Sequence, residues 1–372
     1  MINFKRKIGI DVDDVLMDCV PIAVQLVNEN ELDELDGNPL NVDEITAWKM
    51  TTKRGRRIIK YFQGPELYER QRPLPGAQKF IKKLSEIAEV FITTAIEKEN
   101  TEFRIKQIQK YFPEVDPRNI IPSYRKDVIH LDFTLDDGAH NILKSSCLYP
   151  VLMRKPWNKN MTGILAVNSY DEFLSIVECV NSMYTMSYKK KEPLILALVG
   201  PAGSGKSDVA NELVVNHNFA MPKSVTTRHR RGPEDSSYSF VSKDEFKRLK
   251  KENAFAETSV YAGEYFGSVK ESIDKYLQNN TNVVLPVDIS GAIALKMAFD
   301  NVVIAYIQKD RSDILDTLLN RVVSKEAKID DIKYRILSLD NEKRNKIFCD
   351  IIVDNNSTLR QSCKQIIKDL NL

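Results

Sequence analysis

The sequence predicts an α/β protein of two domains, each a parallel sheet flanked by helices. Two observations carry that expectation. Short apolar runs, Ile8-Gly9-Ile10, Val90-Phe91-Ile92, Phe133-Thr134-Leu135 and residues 194–199, alternate with amphipathic helical stretches. Apolar strands separated by helices mark a parallel sheet buried on both faces. The chain has 372 residues, 42% of them hydrophobic, which exceeds one ordinary core and suits two. The boundary falls in residues 181–192, a polar stretch carrying three consecutive lysines just before a fresh strand. A lysine run of that kind reads as a solvated linker. The expected division is therefore residues 1–183, a linker over 184–192, and residues 193–372.

Composition narrows the function. The charges nearly cancel, leaving +2 at neutral pH. A duplex-binding protein carries a basic excess or a basic face, so no stable nucleic-acid partner is expected. Five cysteines, Cys19, Cys147, Cys179, Cys349 and Cys363, form no C-x-x-C pair, which suits a reducing cytoplasm, or a host's cytoplasm for a viral chain. No signal peptide is expected at the polar start. No apolar run approaches the roughly 20 residues of a bilayer span, so no membrane partner is expected. A homodimer is compatible with this organisation.

The first strand delivers Asp11-Val12-Asp13-Asp14. Two carboxylates one residue apart on a strand-end loop repel each other, and a bound Mg²⁺ is the usual reason for such a pair. Three more pieces follow in order. Thr93-Thr94 ends the second apolar run, Lys126 lies at a polar turn, and Asp136-Asp137 ends the third run. Carboxylates, hydroxyls, lysine and carboxylates at strand C-termini converge on one rim of a parallel sheet.

This order resembles the haloacid-dehalogenase phosphatase superfamily, and within it the 5′(3′)-deoxyribonucleotidases, over roughly residues 7–183. Leu74-Pro75-Gly76-Ala77 before a helix and the run over residues 120–137 add to the likeness. The resemblance implies a Rossmann-like fold with a small helical cap over about residues 16–72. It implies that Asp11 is the nucleophile and that Asp13 protonates the leaving oxygen and then activates water. Thr93 and Lys126 would hold the phosphoryl oxygens, and Thr94 would bind substrate beside them. Asp11, the Asp13 carbonyl, and Asp136 or Asp137 would hold Mg²⁺. The family usually has glycine where this chain has Asp14, a residue that tolerates unusual backbone angles better than most. Trp48 and Phe62 fall in the cap, where aromatics either stack on a base or form the cap's own core.

The run over residues 194–199 opens the second domain and leads into Gly200-Pro201-Ala202-Gly203-Ser204-Gly205-Lys206-Ser207, followed by a helical pattern. This G-x-x-x-x-G-K-S stands in the strand–loop–helix context it requires. Backbone N–H groups around Gly200, Gly203, Ser204 and Gly205 wrap the phosphates at a helix N-terminus. Lys206 meets the outer phosphates and Ser207 the Mg²⁺, so ATP and Mg²⁺ are the expected cofactors. Next come Ser224, Arg228, Arg230, Arg231, Glu234 and Tyr238. Clustered arginines suit a forked grip on a phosphate monoester.

With Glu257, Gly267-Ser268 and Val287-Asp288, this stretch resembles guanylate kinase over roughly residues 193–372, and a P-loop nucleoside monophosphate kinase fold is implied. The resemblance puts Arg228, Arg231 and Tyr238 at the acceptor's phosphate, with Glu234 a further substrate-binding residue of the same loop. Ser224, Glu257, Ser268 and Asp288 would line base and sugar. Arg321 and Arg335 would come from the lid to the transferring phosphoryl group. Two departures stand out. Phe266 replaces a tyrosine that offers the phosphate a hydroxyl, and Pro286 replaces a carboxylate near the metal.

The implied whole is a bifunctional enzyme acting on small-molecule nucleoside monophosphates. It would be a Mg²⁺-dependent phosphatase joined to an ATP-dependent kinase, with different preferred bases. Two alternatives remain: a polynucleotide kinase-phosphatase acting on strand ends, and a phosphatase carrying a catalytically weak kinase-like binding module. The four histidines, His130, His140, His217 and His229, show no metal spacing. His140, close after Asp137, is either a substrate contact or a surface residue.

Overall fold

The computed structural model describes residues 5–45, 52–62, 64–183, 193–230, 238–261, 264–324 and 329–372. The chain forms two compact units. One comprises Met1–Lys159 with Leu165–Leu174, and the other Asn160–Ile164 with Ser175–Leu372.

The strands of the first unit are β1 (Arg6–Asp11), β2 (Ala88–Thr94), β3 (Ile120–Pro122), β4 (Phe133–Asp136), β5 (Tyr149–Met153) and β6 (Ala166–Val167). They build one sheet in the order β3-β2-β1-β4-β5-β6, with every pairing parallel. The order reverses beside β1, so a crevice opens outside the carboxyl ends of β1 and β4, where such sheets bind ligands. Ile8, Ile10, Val90, Ile92, Phe133 and Leu135 are buried, as expected of strands covered on both faces.

The insert after β1 has a core of its own. Val20, Ala23, Val24, Leu26 and Val27 form the apolar stripe of the helix Val20–Asn30. They pack with Leu35, Leu40, Ile45, Ile58, Leu67 and Tyr68, and Phe62 lies against this cluster. Phe62 thus serves the core of the cap. Trp48 lies outside the described residues, as does the lysine run in 184–192.

The second unit contains β7 (Ile195–Val199), β8 (Phe219–Ala220), β9 (Ser224–Thr226), β10 (Tyr238–Phe240), β11 (Phe255–Tyr261), β12 (Glu264–Val269), β13 (Asn282–Pro286), β14 (Val302–Gln308) and β15 (Ile351–Asp354). Five of them make a parallel sheet, β15-β14-β7-β13-β8. Its core includes Leu196, Leu198, Val284, Val303, Ala305 and Ile307. The other four form a mixed sheet, β10-β9-β12-β11. Two helices, Arg311–Val323 and Ile329–Glu342, pack through Ile314, Leu318, Ile332 and Leu339, with Ala202 of the Gly-rich loop against them. No helix among the described residues is long and apolar enough to cross a membrane.

Candidate active sites

In the first unit the strand ends bring Asp11, Thr93, Thr94, Asp136 and Asp137 to one rim, all buried. Lys126 arrives from the turn Lys126–Val128 after β3. Its Nζ lies 2.6 Å from Asp11 Oδ1 and 2.9 Å from Asp136 Oδ2. Asp136 also accepts from the Gly138 amide at 2.7 Å and from Asn141 Nδ2 at 3.1 Å. Asp137 Oδ2 accepts from Trp157 Nε1 at 2.6 Å.

Asp11, Asp136 and Asp137 each offer an oxygen within 4.8 Å of the others. One ammonium facing three buried carboxylates leaves excess negative charge. Burial, then repulsion from Asp136, raises the Asp11 carboxyl well above its usual range, and burial and the same neighbour do so for Asp137. Burial opposes the charge on Lys126, but Asp11 and Asp136 overcome it and raise its pKa. A hard divalent cation with oxygen ligands would relieve this repulsion, so the donor set fits Mg²⁺. The hydroxyls Thr93 Oγ1 and Thr94 Oγ1 are buried without a hydrogen-bond partner among the described residues. Buried hydroxyls are rarely left unpaired, and a phosphoryl oxygen would satisfy them.

Asp13 Oδ1 accepts from Arg104 Nη2 at 2.9 Å and from Gln71 Nε2 at 2.8 Å, so that oxygen is engaged away from the three-carboxylate cluster. Asp14 adopts φ 57°, the left-handed region where glycine is the usual choice. Its carboxylate accepts from the Cys19 and Val20 amides, both at 3.0 Å, and so caps the start of the cap's helix. Burial raises its pKa to about 7 against those two amides. His140 is exposed on the helix Ala139–Lys144.

In the second unit the Gly-rich loop leaves β7 and enters the helix Lys206–Asn216, on which Ser207 is the second residue. Gly200 has φ 142°, and a Cβ there would meet Ile307 O at 2.6 Å. Lys206 Nζ donates to Gly200 O at 2.6 Å and Pro201 O at 2.9 Å. Burial lowers its pKa to about 8, helped by Arg335 and Arg321 and opposed by Glu342 and Asp288. The two arginines therefore lie within electrostatic reach of Lys206. Ser204 Oγ is buried without a partner among the described residues. Asn355 Nδ2 braces the loop by donating to Ser204 O at 2.8 Å, and Ser362 Oγ orients it by donating to Asn355 Oδ1 at 2.8 Å.

The mixed sheet carries the acceptor-side residues. Glu257, Ser268 and Ser224 are directly paired across β11, β12 and β9, so their side chains share one face. Asp288 Oδ1 accepts from the Gly291 amide at 2.7 Å and caps the helix Ile289–Ala298. Burial, with the Asp288 charge, raises Glu257 to about 7 despite the Ser268 hydrogen bond. The Arg228 guanidinium stacks over Tyr238 at 4.8 Å and Phe240 at 5.3 Å. Phe266 meets Tyr238 edge-on at 5.8 Å, so the ring that lacks the hydroxyl buttresses the one that has it. Arg231 and Glu234 lie outside the described residues.

Residues without a local signal complete both sites. Gln71, Arg104, Trp157, Glu342 and Asn355 come from helices and loops distant in sequence from the groups they meet, and Asn141 from the helix just after Asp137.

Comparison with known proteins follows the same division. Residues 5–182 match the family model described as 5′ nucleotidase, deoxy (pyrimidine), cytosolic type C, and residues 190–370 match that of guanylate kinase. The guanylate kinase of Rickettsia prowazekii is 35% identical over 185 residues, covering 49% of this chain and 91% of that one. The Rickettsia felis enzyme is 33% identical over 181 residues, covering 48% and 92%. For the Clostridium tetani enzyme the figures are 33% over 140 residues, 37% and 66%. Among solved structures, guanylate kinase from Anaplasma phagocytophilum aligns with a TM-score of 0.39 at 24% identity, over 49% of this chain and 86% of that one. A haloacid dehalogenase-like hydrolase from Streptococcus pneumoniae aligns with a TM-score of 0.33 at 13% identity, over 48% and 100%. The chain belongs to the guanylate kinase family through its C-terminal half, and that half is fused behind a haloacid-dehalogenase-type nucleotidase domain.

Proposed function

We propose that the N-terminal head, residues 1–183, hydrolyses a deoxynucleoside monophosphate through an aspartyl-phosphate. The C-terminal head, residues 193–372, phosphorylates a nucleoside monophosphate at the expense of ATP. The observation that carries the first reading is Lys126 set between Asp11 and Asp136, with the buried Thr93 hydroxyl lacking a hydrogen-bond partner among the described residues. Asp11 attacks phosphorus, the ester P–O bond breaks, and Asp13 gives its proton to the departing nucleoside oxygen. Asp13 then takes a proton from water, which attacks the acyl phosphate and releases inorganic phosphate and Asp11. Thr93 and Lys126 hold phosphoryl oxygens throughout. Asp11, the Asp13 carbonyl and Asp136 or Asp137 would hold Mg²⁺, which would supply further neutralisation of phosphoryl charge.

In the kinase head, Lys206 and the loop amides hold the ATP phosphates and Ser207 the Mg²⁺, while Arg321 and Arg335 stabilise the transferring group. Arg228, Arg231 and Tyr238 serve the acceptor's phosphate, and Glu234 contacts the acceptor from the same loop. Glu257, Ser268, Ser224 and Asp288 read its base and sugar. A buried carboxylate opposite two N–H donors favours guanine, because a pyrimidine's single ring N–H leaves one oxygen unmatched. Guanine monophosphates rank first as acceptor, and dUMP or dTMP first for the phosphatase. Two heads working on one nucleotide would run a futile cycle, so different preferences make the chain a pool filter. The test is a panel of ribo- and deoxynucleoside monophosphates, with and without ATP and Mg²⁺. Distinct best substrates are expected, and one shared best substrate overturns the filter.

A further inference from the structure

Arg104 is a charged side chain with no exposure to solvent. Isolated buried charge is very costly, so a buried guanidinium implies a tight partner. Among the described residues that partner is Asp13, through a single oxygen. Arg104 Nη2 donates to Asp13 Oδ1 at 2.9 Å. Gln71, also fully buried, donates to the same oxygen from Nε2 at 2.8 Å. Gln71 is itself fixed, since its Oε1 accepts from Arg104 Nη1 at 3.0 Å. Gln107 Oε1 accepts from that nitrogen at 3.2 Å, while Gln107 Nε2 donates to Tyr68 O at 2.6 Å. The Tyr68 ring covers the guanidinium at 4.6 Å. Two donors thus close a triangle on one Asp13 oxygen, and none among the described residues bonds Oδ2. The Asp13 side chain keeps 23% of its surface exposed although its clamp keeps none.

We propose that Arg104 and Gln71 are positioning residues for proton transfer. They hold Asp13 by Oδ1 and so leave Oδ2 for the leaving nucleoside oxygen and then for water. The proposal rests on the reading of Asp13 as the proton shuttle. Proton delivery matters according to the leaving group. A nucleoside alkoxide needs the proton as the P–O bond breaks, whereas p-nitrophenolate leaves without it. Both esters give the same aspartyl-phosphate, whose hydrolysis again needs Asp13.

The test compares the full chain with Arg104→Met, Gln71→Leu and Asp13→Asn, on dUMP and on p-nitrophenyl phosphate, with Mg²⁺, by rapid quench. Arg104→Met and Gln71→Leu are expected to lower kcat on dUMP by ~10- to 100-fold, with KM changed less than about threefold. On p-nitrophenyl phosphate they are expected to release about one nitrophenolate per enzyme at near the parent rate, then to turn over slowly as phosphoenzyme accumulates. Arg104→Lys should restore part of the loss. If Arg104→Met does not fold, Gln71→Leu carries the same test. Equal losses on both esters without a burst in the folded variants, while Asp13→Asn does burst, overturn the clamp alone. Parent rates in both variants do so too. Absence of a burst in Asp13→Asn itself overturns the shuttle reading instead.

Discussion

Glu257 and Ser268 face each other across β11 and β12, and the serine hydroxyl donates to Glu257 Oε1 at 2.7 Å. This one bond only partly offsets burial, and the carboxyl rests at about 7. A carboxyl whose folded pKa is raised stabilises the fold below its unfolded value of 4.5, and that contribution is lost as pH rises through about 7. The ligand-free kinase head should lose on the order of 3 kcal/mol between those limits from this residue. Acceptor binding should move the opposite way, since the ionised form accepts from two N–H donors. Melting curves and acceptor KM from pH 5 to 8 check both signs, and Glu257→Gln should flatten both.

Asp11→Asn keeps the shape of the side chain but removes the nucleophile. Phosphatase turnover should fall by at least ~10³, while the kinase rate stays unchanged because the two units have separate cores. Steady-state assays of both activities on one preparation decide it. A near-normal phosphatase rate excludes the covalent route.

Arg228 combines charge with a flat face stacked on Tyr238 and Phe240. Arg228→Lys keeps the charge and loses the fork and the stacking. Acceptor KM should rise ~10-fold or more, by about 1–2 kcal/mol of lost binding, with ATP KM unaffected. Lys206→Ala should abolish phosphoryl transfer and spare the phosphatase.

Much of both sites was legible because the informative residues sit at strand ends, where sequence spacing and spatial convergence coincide. Asp11, Thr93, Lys126 and Asp136 form such a set, and the Gly-rich loop is continuous. What escaped is long-range. Arg104 reaches Asp13 across 91 positions and Asn355 reaches Ser204 across 151, and neither stands in a motif. Trp157 reads from sequence as an apolar residue, yet its indole N–H holds Asp137. Phe62 shows the converse, since only the packing of the cap distinguishes a core aromatic from a base platform.

Asp14 separates two effects at one position. Asp14→Gly suits φ 57° and loses only the cap, at about 1 kcal/mol. Asp14→Ala loses the cap and adds left-handed strain, at about 2–3 kcal/mol in all. Denaturant unfolding of the phosphatase head should rank parent, then Gly, then Ala.

Both lysines proposed to meet phosphate have partners within the chain, Lys126 its carboxylates and Lys206 the carbonyls of its own loop. Anion capture in each head is therefore an exchange of partners, and its free energy is a difference between two sets of contacts. A bare inorganic phosphate brings charge but no base, sugar or second phosphate to outweigh the contacts it displaces. Bound as proposed, a phosphate must displace the carboxylates from Lys126 in one head and the loop carbonyls from Lys206 in the other.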